Sequence, residues 1–132
     1  MATKNRAVLI LINDRKILLM YRFKNGEEYY VFPGGGVEEN ETLEQAAIRE
    51  AKEETGLTVT LKKKLWECKN GGRTDNFYLV DAFSGDMKIG GPEEARQSES
   101  NVYRLDWIPL NKVKDLNLFP EAMKNHLLEE FF

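Results

Sequence analysis

Three carboxylates, Glu50, Glu53 and Glu54, recur at i, i+3 and i+4 in the run REAKEETGL. On a helix that spacing puts them on one side. The cluster does nothing for the helix itself, because like charges three or four residues apart each cost about 0.2–0.5 kcal/mol. A cation arriving from outside would relieve the repulsion. Oxygen-only donor sets of this kind suit hard divalent ions such as Mg²⁺ or Mn²⁺. Just upstream stand three consecutive glycines, Gly34 to Gly36, then Glu41, then Arg49 beside the first of the three glutamates.

The elements that must carry these residues can be read from the same stretch. Pro33 stops a strand-like run, EYYVF, and Gly34 to Gly36 read as a loop free to take unusual backbone angles. Asn40 or Thr42 is placed to cap a helix, with Glu38, Glu39, Glu41 and Glu44 near its positive end. Gly56 is a suitable residue to stop it. With Leu43 set at zero and about 100° per residue, Ala47 and Ala51 fall near ~40° and ~80°, Glu54 near ~20°, Glu50 near ~340° and Glu53 near ~280°. The carboxylates thus lie on or beside the face that meets the protein body, with Lys52, Gln45 and Arg49 opposite or at its margin. The small alanines let a neighbouring strand or loop approach closely.

Around this helix the chain reads as β-rich. RAVLILI and KILLMYRF flank the turn pair Asn13-Asp14 and read as a hairpin. Asn25-Gly26 marks a second turn. LTVTLKKKLWEC and NFYLVDAF are strand-like runs joined through Asn70-Gly71-Gly72, and NVYRLDWIPL alternates like a further strand. MKIGGPEEARQSES is polar and reads mostly as loop. Pro120 suits the first turn of a last helix, with Met123, Leu127, Leu128 and Phe131 as its buried stripe.

Bulk properties bound the class. The 132 residues, 42% hydrophobic and 31% charged, suffice for one domain with a sizeable core, taken as 1–132. A net charge of −3 argues against a protein that coats nucleic acid, so no stable nucleic-acid partner is expected. Cys68 is the only cysteine, which fits a reducing compartment, and the apolar run near the start is too short to span a membrane. The expected location is cytoplasmic.

The spacing from Gly35 resembles a known signature. The chain reads Gly35, five residues, Glu41, seven residues, then Arg49-Glu50-Ala51-Lys52-Glu53-Glu54-Thr55-Gly56-Leu57. This resembles the Nudix box, G-x5-E-x7-R-E-U-x-E-E-x-G-U, with U a bulky aliphatic residue. The fixed Gly, Glu and Arg positions are all present, and Ala51 stands where a larger aliphatic residue is usual. The resemblance implies an α/β (α+β) fold, an α-β-α sandwich around a mixed β-sheet. It also implies hydrolysis of a nucleoside diphosphate linked to another group, with Mg²⁺ or Mn²⁺ as cofactor. By the same likeness Glu53 and Glu54 are the principal metal ligands, Glu50 lies near or on the metal, and the Gly34 carbonyl adds a ligand. Arg49 would orient the glutamates and Glu41 would support the loop.

The family's general base varies between a box glutamate and a carboxylate of a later loop. Candidates are Glu93, Glu94 and Glu99, with Glu94 favoured by position. Arg22, at the end of the second strand, matches a position where relatives place a basic residue on substrate phosphate. Tyr29, Tyr30 and Phe32 alternate near the glycines and read as core or as a base-stacking surface; Trp107 reads as packing. Nothing in the sequence selects Trp66, Arg73 or Arg96, and a lone His126 is not a metal ligand. The proline that ADP-ribose hydrolases often carry past the box is absent, and Tyr78 lies too far on for the tyrosine of dinucleoside polyphosphate hydrolases. A (deoxy)nucleoside triphosphate or related nucleotide is therefore the default substrate. The alternative is a non-catalytic nucleotide sensor on the same fold. Dimers are common in the family, so a homodimer is one state the resemblance allows.

Overall fold

The computed structural model describes residues 4–69, 71–88, 98 and 100–131. The strands are β1 Lys4–Ile10, β2 Ile12–Asn13, β3 Lys16–Lys24, β4 Glu27–Val31, β5 Gly34–Gly36, β6 Thr58–Lys69, β7 Arg73–Ser84, β8 Asn101–Pro109 and β9 Leu118–Phe119. The helices are α1 Leu43–Thr55 and α2 Glu121–Phe131, with a 3-10 turn at Leu110–Asp115.

Two mixed sheets form. The first has the order β5-β1-β7-β6, in which β1 and β7 run parallel and the outer pairs are antiparallel. The second has the order β2-β3-β4-β9, with β8 on the other side of β3. β1 is buried on both faces, as expected for a strand with a parallel partner and helices on either side. Ala7 and Leu9 pack into a cluster with Ala46, Ala47 and Ala51 of α1. Val8 and Ile10 point the other way, into a cluster with Met123 and Leu127 of α2. Each fully buried Leu or Phe here is worth about 1.5–3 kcal/mol, so both layers are firmly tied to the central strand. The expected sandwich is the one observed, and the alanines do let α1 sit close to the sheet.

The hairpin expected from RAVLILI and KILLMYRF is not what forms. β1 leaves for the first sheet, and only Ile12 and Asn13 pair back on Ile17 and Lys16. Long-range partners decide this: Ala7, Val8 and Leu9 match Asn76, Phe77 and Tyr78 in parallel register, burying both faces of β1 at once. Asp14 and Arg15 take positive φ (51° and 60°) at the turn, one residue later than read. The glycine run is likewise no free loop. Gly34, Gly35 and Gly36 pair with Val8, Ala7 and Arg6 as a short edge strand. Pro120 precedes α2 instead of entering its first turn, and its carbonyl accepts from the Met123 N–H. Of the expected α2 stripe, Met123 and Leu127 are buried, while Leu128 and Phe131 pack half-buried against them. The opposite edge strand, β6, carries Lys62, Lys63 and Lys64 exposed and slips register against β7, which discourages further strand addition. No helix among the described residues is long and apolar enough to cross a membrane.

Candidate active site

The phase of α1 is fixed at both ends. The Thr42 hydroxyl accepts from the Gln45 N–H at 3.0 Å, and the Gln45 side chain accepts from the Thr42 N–H at 2.9 Å, a reciprocal capping box. Thr42, not Asn40, is thus the cap. At the other end Gly56 turns left-handed (φ +80°) and its N–H returns to the Lys52 carbonyl at 3.0 Å. A helix held in this way presents the three glutamates at graded depth. Glu54 is buried, Glu50 is half-buried and Glu53 is exposed.

Arg49 organises the cluster. It donates to both Glu41 oxygens (2.7 and 3.0 Å), to the Gly36 carbonyl (2.8 Å), to Glu50 (2.9 Å) and to Glu53 (3.0 Å). The two bonds to Glu41 form a fork-to-carboxylate pair, the strongest geometry available to arginine. Glu41 also accepts from the Glu38 N–H at 3.0 Å, so it clamps the connecting segment to the helix. The Arg49 hydrogen bonds, aided by the Glu38 N–H, hold the Glu41 carboxyl below the usual carboxylate range. In return Glu41, and then Glu50, push the Arg49 pKa further up against the opposing effect of burial. The guanidinium is charged at any working pH.

The glycines are there for close approach. A Cβ on Gly35 would stand 2.3 Å from the Glu50 carboxyl carbon, so that side chain rests directly on the glycine backbone. A Cβ on Gly34, whose φ is +153°, would meet the Ala7 carbonyl oxygen at 2.3 Å. Gly34 to Gly36, Glu38, Arg49, Glu50, Glu53 and Glu54 line one recess of about 400 Å³. The structure thus brings together the Gly34, Glu50, Glu53, Glu54 and Arg49 singled out in the sequence.

Arg6 completes the recess, and nothing in the sequence marks it. It opens β1 and reads as a polar strand end. Pairing of β1 with β5 sets it opposite Gly36, and its Nη2 donates to the Gly34 carbonyl at 3.3 Å. Arg22 lies elsewhere. It donates to Asn101 Oδ1 (2.7 Å), stacks 3.7 Å over the Tyr103 ring, and is not among the described residues of the recess. Glu93, Glu94 and Arg96 of the polar loop, and Glu99, lie outside the described residues. Phe32 is core, edge-on to Phe77 at 5.1 Å. Tyr29 and Tyr30 are half-buried, edge-on to Phe119 and Tyr21. Trp107 packs on Phe83, and Trp66 sits between Phe77 and His126. Tyr78 lies under α1 with its hydroxyl on Glu44, its pKa pushed up to about 12 chiefly by burial.

The donors in the recess are those of a hard cation: one backbone carbonyl and three carboxylates. In this structure guanidiniums hold the carbonyl and two of the carboxylates. Arg6 takes the Gly34 carbonyl, Arg49 takes Glu50 and Glu53, and among the described residues no three acidic, His or Cys side chains converge as a ready coordination set. Carboxylates still outnumber guanidiniums around the recess, so the residues present fit a divalent ion chemically.

The NUDIX domain family model matches residues 3–128. The chain is 35% identical to an ADP-ribose pyrophosphatase of Methanocaldococcus jannaschii over 68% of its own length, and spans 56% of that relative. It is 33% identical to an oxidized purine nucleoside triphosphate hydrolase of Danio rerio, over 95% of this chain and 82% of that one. Among solved structures, MutT as analysed from Aliivibrio salmonicida and Vibrio cholerae matches with a TM-score of 0.77 at 26% identity, covering 97% of this chain and 98% of that one. With the box residues gathered in one recess and the family model running over nearly the whole chain, the chain belongs to the Nudix hydrolases.

Proposed function

We propose that this hydrolase is a Mg²⁺- or Mn²⁺-dependent pyrophosphohydrolase acting on a nucleoside diphosphate linked to a second group, with a (deoxy)nucleoside triphosphate as the first substrate to test. The observation that carries the reading is the Arg49 hub, which sets Glu50 and Glu53 against the glycine strand beside Arg6. Glu50, Glu53, Glu54 and the Gly34 carbonyl would hold the metal. When bound, a divalent ion there supplies charge neutralisation of the diphosphate and a water of lowered pKa.

The chain's own residues have separable tasks. Arg6 offers a guanidinium to the phosphate oxygens, which are otherwise repelled by the acidic recess. Arg49 keeps the two glutamates in place and Glu41 keeps Arg49 in place. Glu94 is the proposed base for the water proton, and Arg22 a proposed substrate contact at the end of β3. Relatives named for ADP-ribose and for oxidized purine nucleoside triphosphates bracket the substrate class without selecting within it.

The test is a panel of nucleotides with Mg²⁺, comparing wild type with Glu53→Gln. Expected is metal-dependent release of phosphate or pyrophosphate, reduced by orders of magnitude in the variant. Nucleotide binding without turnover across the panel would instead favour a sensor, and a fully active variant would overturn the ligand assignment.

A further inference from the structure

The two guanidiniums that border the recess are held very differently. Arg49 makes five hydrogen bonds of 2.7–3.0 Å, two of them the fork on Glu41. The Arg6 guanidinium makes one among the described residues, to the Gly34 carbonyl, and at 3.3 Å it is longer than the usual value of about 2.9–3.0 Å. The Arg6 backbone, by contrast, is fixed. Its carbonyl accepts from Asn76 Nδ2 at 3.0 Å, and β1 pairs it with Gly36 on one side and Asp75 on the other. Movement is left to the side chain alone.

That side chain borders three spaces: the recess, a cavity of about 100 Å³ and an outer groove of about 510 Å³. In the cavity Asp75 pairs with Arg73 at 3.1 Å, and in the groove Glu38 and Glu39 face Lys4 and Arg73, so charge balances in both without Arg6. The recess sets Glu38, Glu50, Glu53 and Glu54 against Arg49. Of the three spaces it is the one whose charge attracts Arg6.

The Gly34 carbonyl is also the backbone donor proposed for the metal. A divalent ion on that oxygen and a guanidinium beside it repel each other, and a partly buried recess screens them little. Arg49 is anchored by its Glu41 fork, so Arg6 is the group that gives way. We propose that Arg6 and the metal compete for the Gly34 carbonyl oxygen, and that the guanidinium so released turns to the substrate diphosphate, making metal and diphosphate bind cooperatively. A diphosphate carries negative charge into a recess the metal has largely neutralised, and that charge draws Arg6 in. Arg6 thus has two opposed effects: it disfavours the metal alone and favours the diphosphate. This rests on the metal-dependent reading above.

The experiment measures two affinities. Binding of Mn²⁺ alone is followed by electron paramagnetic resonance of the unbound ion. Binding of methylenediphosphonate, whose P–C–P bridge resists hydrolysis, is followed by calorimetry at saturating Mn²⁺. Arg6→Met should bind Mn²⁺ about fivefold or more tighter than wild type, and the diphosphonate about tenfold or more weaker. A merely damaged site would weaken both. Lys4→Met removes a like charge two residues along β1 and leaves the Gly34 carbonyl bond in place, so its Mn²⁺ affinity should stay within about twofold of wild type. Arg6→Lys keeps the charge but shortens the reach; it should move both affinities the same way by less, and it decides the matter if Arg6→Met fails to fold. An Mn²⁺ affinity unchanged or weakened in Arg6→Met, an unchanged diphosphonate affinity, or an equal tightening in Lys4→Met would each overturn the inference. Metal-dependent turnover without the opposed shifts would leave the hydrolase reading standing while this one fell. The opposed shifts without turnover on any nucleotide would do the reverse, and a wild type that binds no Mn²⁺ would overturn both.

Discussion

Replacing Arg49 separates its charge from its geometry. Lysine keeps the charge but has no planar fork, so it loses the bidentate hold on Glu41 and, with it, the simultaneous reach to Gly36, Glu50 and Glu53. In the native site the Arg49 side chain is 22% exposed, Glu41 14% and Glu50 15%, whereas Glu53 is 51% exposed. The Glu53 contact is therefore screened and contributes little. What remains is the Glu41 fork, one carbonyl and one covered carboxylate. Charged hydrogen bonds of this kind, discounted for partial exposure, put Arg49→Ala at about 2–4 kcal/mol and Arg49→Lys at about half of that. At about 3 °C per kcal/mol for a chain of this length, the melting temperature should fall by about 6–12 °C and 3–6 °C respectively. The assay is thermal denaturation followed by circular dichroism, at neutral pH and again at about pH 3, below the ordinary carboxylate range.

The pH arm fixes the sign. Glu41 has a folded-state pKa lowered from 4.5 by Arg49, so its contribution is fully present above that value and disappears as pH falls through the lower folded one. The gap between wild type and Arg49→Ala should therefore be full at neutral pH and shrink in acid. A variant within a degree of wild type at neutral pH, or a gap that persists undiminished in acid, would refute the assignment of Arg49 as the organiser of this site.

Three further outcomes follow from the same geometry. Gly34→Ala drives a Cβ to 2.3 Å from the Ala7 carbonyl oxygen and 2.8 Å from Val8 Cα, both backbone, so β5 must detach and the urea midpoint should fall by the equivalent of about 2–4 kcal/mol. For Gly35→Ala the three nearest atoms all belong to the Glu50 carboxyl, the far end of a side chain that can swing away, so stability should stay within about 1 kcal/mol of wild type while kcat/KM drops at least about tenfold. Thr42→Ala removes one half of the capping box and should cost about 1 kcal/mol, a loss of about 3 °C in melting temperature, with little change in KM.

Local rules made α1 legible. A capping residue, a C-terminal glycine and the 3.6-residue repeat fix its ends and its phase, and the phase alone puts Glu50 and Glu54 toward the body of the protein. Turn chemistry did the same for Asn25-Gly26, whose φ values of 51° and 85° suit a tight hairpin turn. The failures share one cause. RAVLILI looked like half of a hairpin because a nearby partner was in view, but a strand buried on both faces gains more from the distant β7 and β5 than from its neighbour. The same distant pairing turned a glycine loop into an edge strand.

The sequence by itself determined the family's acidic motif, the helix that carries it and the chemical type of ion it suits, because these depend on residues within about two dozen positions of one another. Only the tertiary structure decided that Arg6 faces the Gly34 carbonyl, that Asp75 is buried against Arg73 at a cavity walled by three phenylalanines, and that Arg22 is engaged on β8 instead. Those placements depend on register between strands far apart in the chain. A slip of one residue would turn every side chain of a strand to its opposite face, and no local pattern encodes which register packs best.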